Sequence, residues 1–592
     1  AASWIDLTYR LGATASNYKQ KNTKAGVTFS EYEISDPLGT GGTASSNPNG
    51  VWPCLYDRLY TQFDLQTAFL ANLHRNFLKD NLTTRLILGS SVYKSRYRNI
   101  EAGEGVKGGT GELEIPGLYN QSNLVSPATV NENLLESGKL GAFGSLQLGY
   151  KNFLFVELTG RNDWVSVLAP ENRSFFYPGV SGSFVFTDAI ASMKSISWLN
   201  FGKVTASYTK VGNVSNVLPY SLSNTFSQIL GFPYETTSFS VGNTLANPLL
   251  KPEIIKSKEF GLKLGLLQNR INMDVSFYDE DASNQTVPIQ ISSSTGYTST
   301  LKNVGNVHNQ GWELDLRITP LMNLGPVRWN IGGNLALYNS RVDEIDPQSE
   351  SIFIGGYTTG AGVYTVKGQP MRILEVKDWK RDSASGKVIV DPKTGRPSAT
   401  TGVINVGQVS PKVILGLSTS FEYKNLTLNI LGEYRGGYVV YNNVGAATAF
   451  TGVSEVTALT GRQRFVYPNS VILDGSGKYV PNTSVVVDNA SNGSGFWAST
   501  FRTAGVPFVT SGDFWKIREV SLIYNFNVKG NKVLKKASVG VVARNLFTFL
   551  PKDNVYADPE YSLFGTGNAQ GVSNENLSPP TRVFGATFTV GF

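Results

Sequence analysis

The residues able to do chemistry are few and far apart. The 592-residue chain holds one cysteine, Cys54, and two histidines, His74 and His308. One thiol excludes an intrachain disulfide. Two distant imidazoles leave almost nothing from which to build a zinc site or a histidine-activated nucleophile. The densest acidic run is Asp279-Glu280-Asp281. Clustered carboxylate oxygens suit a hard cation, but the spacing and glycine of a calcium loop are missing, so the plain reading is a solvated rim. Lys529, Lys532, Lys535 and Lys536 form a basic cluster that reads as a solvated turn. Aromatic rings are the remaining candidates. Trp379, Tyr467, Trp497 and Tyr556 lie in long polar stretches, where rings could contact a ligand or a lid. Rings also pack such stretches against each other. No cofactor, catalytic residue or metal site is expected.

Composition narrows the class further. Only 16% of residues are charged, with 61 glycines and 11% aromatics. Low charge without low hydrophobicity argues against disorder. The net charge of +7 is mild for this length and the basic residues are scattered, which excludes nucleic acid as a partner. No run of about 18 apolar residues exists to form a transmembrane helix. The start, Ala1 to Asp6, has neither the charged nor the apolar region of a secretory signal.

The elements that position these residues are strands. Leu262, Leu264 and Leu266, then Ile271, Met273, Val275 and Phe277, alternate with Lys263, Asn272, Asp274 and Ser276. Trp312, Leu314, Leu316 and Ile318 alternate with Glu313, Asp315 and Arg317. At the end, Phe584, Ala586, Phe588, Val590 and Phe592 alternate with Gly585, Thr587, Thr589 and Gly591. Successive strand side chains point to opposite faces, so each segment has one greasy face and one wettable face. About 16 such segments of roughly 9–15 residues recur, the length that crosses a bilayer when tilted.

Connections alternate in length. Short ones fall near 75–81, 151–152, 187–199, 268–270, 319–326, 424–425 and 527–536. Long ones fall near 13–61, 98–138, 211–257, 282–308, 342–410, 436–512 and 549–581, with a shorter one at 163–173. A soluble sandwich or propeller would have shorter strands, connections of one length class and a charged outer face. The pattern predicts an all-β, antiparallel transmembrane β-barrel with short periplasmic turns and long extracellular loops.

Several motifs then carry a resemblance. GAFGSLQLGYKNFLFVELTGRNDW occupies 141–164, and NPLLKPEIIKSKEFGLKLGLLQNRINMDVSFYDE occupies 247–280. NVGNVHNQGWELDL follows at 303–316, SPKVILGLSTSFEYKNLTLNILGEYRGGYVVYN at 410–442 and DFWKIREVSLIYNFN at 513–527. ARNLFTF lies at 543–549, DPE at 558–560 and SPPTRVFGATFTVGF at 578–592. In this order they resemble the C-terminal barrel of the SusC/RagA family of TonB-dependent outer-membrane transporters of Bacteroidetes.

The resemblance implies a bacterial outer-membrane importer of oligosaccharides or peptides, not an enzyme. It implies a barrel of about 22 strands, of which residues 1–592 would supply the later ones, with a plug, a TonB box and the first strands upstream. The implied partners are a SusD-like surface lipoprotein as lid and TonB–ExbB–ExbD as the energy source. Lipid, lipopolysaccharide and other outer-membrane complex subunits complete the expected surroundings. A structural subunit of a larger complex and a diffusion porin are the alternative readings. Phe584, Phe588, Val590 and Phe592 resemble the aromatic terminal signal read by the barrel-assembly machinery. The terminal strand should pair with 537–548 and keep one edge without a partner.

Placing Phe588 on the lipid face yields a prediction. A basic residue there costs roughly 2–4 kcal/mol near the midplane and an acid somewhat less. Phe588→Asp should therefore lower the amount of folded protein in the outer membrane, read from heat-modifiable migration of the isolated fraction. Unchanged levels would contradict the placement.

Overall fold

The computed structural model of the chain describes residues 4–26, 52–106, 109–128, 130–229, 238–357, 360–487, 495–528, 533–564, 567–573, 575–576, 578 and 580–592. Sixteen long strands dominate it. They are β1 (Ile5–Lys24), β2 (Cys54–Phe77), β3 (Leu82–Gly103), β4 (Val130–Tyr150), β5 (Leu154–Val165), β6 (Ser174–Val185), β7 (Leu199–Asn213) and β8 (Glu253–Leu266). The second half is β9 (Ile271–Gln290), β10 (Ser299–Leu324), β11 (Val327–Glu344), β12 (Val413–Tyr423), β13 (Leu426–Gly436), β14 (Phe514–Asn525), β15 (Lys536–Phe549) and β16 (Val583–Gly591). Each pairs antiparallel with the next in one sheet. A two-residue strand, Thr244–Leu245, joins parallel to β10.

Register turns the sequence alternation into two continuous faces. Leu86 stands opposite Leu146, Leu146 opposite Leu158, and Leu158 opposite Val180. Further round, Phe260, Phe277, Trp312 and Leu337 form one row, with the rings of Phe277 and Trp312 4.9 Å apart. The other face carries the polar and charged side chains, with a few apolar ones such as Ile87, Phe143 and Phe155 among them. Ser145 and Gln147 donate to Glu157 at 2.7 and 3.1 Å. Asp315 and Arg317 line a cavity of about 490 Å³ with Asn330, Ser418, Ser420 and Asn429. Charges thus stand opposite the greasy rows, as a wet lumen requires.

The short turns are tight and left-handed. Lys151 and Asn152 have φ of 47° and 61°, and Leu267, Gln268 and Asn269 lie between 50° and 60°. Asparagine tolerates this region and long side chains there point into water, which matches turns of this type.

Strand ends differ from expectation. β1 runs on to Lys24, β2 begins at Cys54, and β9 and β10 reach Gln290 and back to Ser299. Much of the expected long segments 13–61 and 282–308 is therefore strand. The regular apolar alternation ends near the edge of the lipid, but backbone pairing continues beyond it.

The last strand behaves as its sequence suggests. β16 pairs with β15 from Ala537 opposite Val590 to Arg544 opposite Val583. Among the described residues, its other edge and the outer edge of β1 have no strand partner. No helix among them is long and apolar enough to cross a membrane.

Candidate functional site: lumen wall and loop cap

Three long connections fold together at one end of the sheet. Between β11 and β12, strands Ser351–Tyr357, Ala361–Val366, Ile373–Val376 and Ile404–Gln408 form an antiparallel sheet. Between β13 and β14, Val439–Asn442 pairs with Val509–Ser511. The same strand also pairs, in parallel, with Val572–Ser573 from the connection between β15 and β16. One apolar core unites all three: Val363, Leu374 and Val376 meet Tyr441 and Phe508, which meet Ala569 and Val572. We refer to this unit as the cap.

The candidate loop aromatics lie within it. Trp379 is 4% exposed and meets Tyr467 edge-on at 6.3 Å. Tyr467 touches Phe496, and Phe496 touches Trp497 at 4.8 Å. Trp497 also stacks on Phe465, and its Nε1 has no hydrogen-bond acceptor among the described residues. Tyr556 packs on the neighbouring core, beside Phe508 and over Gly445. A Cβ at Gly445 would come within 2.7 Å of the Tyr556 ring, so glycine there permits the contact. Burial pushes the Tyr467 hydroxyl up to about 12 and raises that of Tyr556.

An ion network that the sequence reading missed ties the cap to the wall. Lys516 on β14 is 3% exposed. Its Nζ donates to Asp558 at 2.8 Å and to Glu560 at 2.6 Å. Arg518 clasps Glu560 with both terminal nitrogens at 2.7 and 2.6 Å, and its Nε donates to Glu433 on β13 at 2.7 Å. Arg435 shares Glu433 and reaches Glu560 at 3.3 Å. The Lys516 ammonium also sits 4.6 Å from the Phe514 ring centre. Asp558 and Glu560 belong to the Asp-Pro-Glu motif. The only sequence signal for the network was that motif together with the alternating Lys516 and Arg518.

The lumen wall holds a second buried charge. Asp163 on β5 accepts from Arg161 Nε at 2.8 Å and from the Tyr177 hydroxyl at 2.6 Å, with Lys139 at 3.7 Å. Arg161 also donates to Ser91 at 3.1 Å.

The acidic run divides between the two faces. Asp279 and Asp281 point outward and Glu280 inward toward Asn309, as a strand's period demands. His308 stands between the outward pair, with Nε2 3.4 Å from Asp279 and Nδ1 2.8 Å from Asp281. Lys258 takes Asp279 at 3.2 Å. One ring nitrogen and one oxygen of each carboxylate lie within 4.8 Å of one another. Lys529 and Lys532 lie outside the described residues. The backbone N–H of Lys535 donates to Gly591 and Lys536 begins β15, which places both beside the chain's last strand. On that strand Phe584, Phe588 and Val590 are exposed, as is Phe592 just after it.

The network predicts how the cap responds to acid. Burial alone would raise the Glu560 carboxyl, but hydrogen bonds from Arg518 and Lys516 outweigh it and hold the group at about 2. The depressed value means that the contribution is full above the ordinary carboxyl range and lost as pH falls through about 2. The loss is on the order of 3 kcal/mol. Hydrogen exchange across 550–573, corrected for intrinsic rates, should accelerate between pH 6 and pH 2. Glu560→Gln should accelerate it already at pH 6, because Lys516 and Arg518 then face too little negative charge. Equal protection in the variant would contradict the role given to the network.

With fold and site in place, comparison with known proteins is specific. Residues 2–492 match the family model described as TonB dependent receptor-like, beta-barrel. TonB-dependent receptor P26 of Formosa agariphila is 25% identical over 521 residues, covering 80% of this chain and 49% of the relative. TonB-dependent receptor P3 of the same organism is 22% identical over 610 residues, covering 98% of this chain and 56% of the relative. The chain thus spans about half the length of the curated relatives it matches. Among solved structures, the RagAB peptide transporter superposes with a TM-score of 0.74 at 16% identity, covering all of this chain and 60% of that one. The chain belongs to the β-barrel family of TonB-dependent receptors, proteins of the bacterial outer membrane.

Proposed function

We propose that the chain forms the barrel wall and outer cap of a SusC/RagA-type importer, energised through TonB–ExbB–ExbD and taking up peptides or oligosaccharides. The observation that carries this reading is the cap. Three loops share one apolar core and are clamped by Lys516 and Arg518 to a polar-lined wall, which is an arrangement for admitting large cargo under control and not for free diffusion. Peptide is the favoured cargo, since the RagAB proteins of like fold are described as a peptide transporter. A SusD-like lipoprotein is the proposed lid. The cap offers it exposed Phe450, Val453, Leu459 and Val555, apolar residues that a closed lid would cover.

Uptake by a strain lacking the gene tests the proposal. Loss of labelled oligopeptide uptake, with oligosaccharide uptake intact, is expected. The reverse would reassign the cargo, and unchanged uptake of both would overturn transport. For the lid, Val453→Asp with Leu459→Asp should weaken recovery of a co-purifying lipoprotein by about tenfold or more, the scale of losing central apolar anchors. Undiminished recovery would place the lid elsewhere.

A further inference from the structure

The lumen wall carries a charge imbalance at its outer end. The pairings of β5 with β4 and β6 run without a bulge, so Glu157, Thr159, Arg161 and Asp163 share one face of β5. Val156 and Leu158 take the other, so the charged face is the lumen side. Lys139 and Gly141 on β4, Ser91 on β3 and Tyr177 on β6 face the lumen with it. The group stands at the end of β5 away from the Lys151-Asn152 turn, the end from which the cap connections leave the wall.

The guanidinium of Arg161 is held in one place. A side chain at Gly141 would collide with it and come within 2.7 Å of the Asp163 carboxylate, so glycine there lets both lie flat on the wall. The guanidinium sits 5.2 Å from the Phe143 ring centre. Asp163 and Ser91 take N–H donors of its Nε and Nη2, and the Tyr177 hydroxyl fixes the other carboxylate oxygen at 2.6 Å. The charges do not balance. Lys139 is half-exposed, lies 3.7 Å from the same carboxylate, and its ammonium makes no hydrogen bond among the described residues. Asp64, two strands away on β2, is held instead by Gln62 and Tyr93 at 2.8 and 3.1 Å. Two cations therefore share one buried carboxylate, and the surplus positive charge faces the lumen.

We propose that Lys139 and Arg161 bind a carboxylate of the cargo as it enters the lumen, with Asp163 and Tyr177 holding the guanidinium in position. A fixed guanidinium gives such a group directed, charge-assisted hydrogen bonds, and the ammonium beside it adds charge without fixing geometry. A peptide carries carboxylates at its C-terminus and on its acidic side chains. The site deepens the reading of the chain as a peptide importer and rests on it.

The test returns the full-length gene, wild type or variant, to the strain that lacks it and measures initial uptake of four labelled peptides at limiting concentration. The peptides share one sequence, with Glu or Gln at one inner position and a free or amidated C-terminus. Wild type should favour the peptide with both carboxylates over the one with neither about tenfold, the weight of a hydrogen bond to a charged group. Lys139→Met should cut that preference to about twofold, since an exposed ion pair is worth up to about fivefold. Lys151→Met, in the β4–β5 turn, should leave it whole. A preference that follows the terminus assigns the site to peptide ends, one that follows the Glu assigns it to acidic side chains, and either supports it. Heat-modifiable migration gives the amount of folded receptor. Lys139→Met alters a half-exposed residue, so the test holds even where Arg161→Gln, which strips Asp163 of its partner, fails to fold. Uptake of all four peptides at one rate, or a preference unchanged in Lys139→Met, overturns the site and leaves the importer reading standing. Uptake of none overturns that reading, and the site with it.

Discussion

Hydrocarbon offers no hydrogen bonds, so every backbone N–H and C=O that crosses it must find a partner in the protein. The rest of the molecule depends on that constraint. Fifteen successive antiparallel pairings satisfy it between β1 and β16, except at the two outer edges, which have no strand partner among the described residues. Because pairing fixes register, the faces follow without further choice. A one-residue slip would carry Leu86, Leu146 and Leu158 into the lumen and set Arg85, Gln147 and Glu157 against lipid. The cost of burying those charges makes the register strongly specified.

Where the bilayer ends, the constraint lifts and the chain does something different. Strands overshoot the membrane, and three connections build a conventional apolar core of their own. A core made from loops needs anchoring, because its parts are far apart in sequence. The carboxylates of Asp558 and Glu560 supply the anchor by reaching back to Lys516 and Arg518 on the wall. Breaking one partner of so buried a network leaves a charge uncompensated, which is why the cap's position is sensitive to single changes there.

Much of the wall was legible in the sequence, because a period of two survives in a single chain. The hairpin from Leu262 to Phe277 shows its two faces residue by residue, and the pairing of the last strand with 537–548 follows from chain order. The cap was not legible in that way. Its contacts join positions such as Tyr556 and Phe508, and no local pattern announces them. The ion network was hidden for the same reason. Its acids, Asp558 and Glu560, lie 42 residues along the chain from the Lys516 and Arg518 they bind, beyond the reach of any local alternation. The acidic run at 279–281 shows the converse: read as a cluster it suggests a site, read with the strand's period it divides between lipid side and lumen.

The central claim is that one face of each strand meets lipid and the other meets water. Spin labels placed singly from Ile271 to Tyr278, after replacing Cys54, the chain's one cysteine, test it most directly. In liposomes, labels at 271, 273, 275 and 277 should relax with oxygen, which concentrates in lipid. Labels at 272, 274, 276 and 278 should relax with a water-soluble nickel chelate. A strict period of two supports the account. A helical period, or oxygen contact at the even positions, would contradict it.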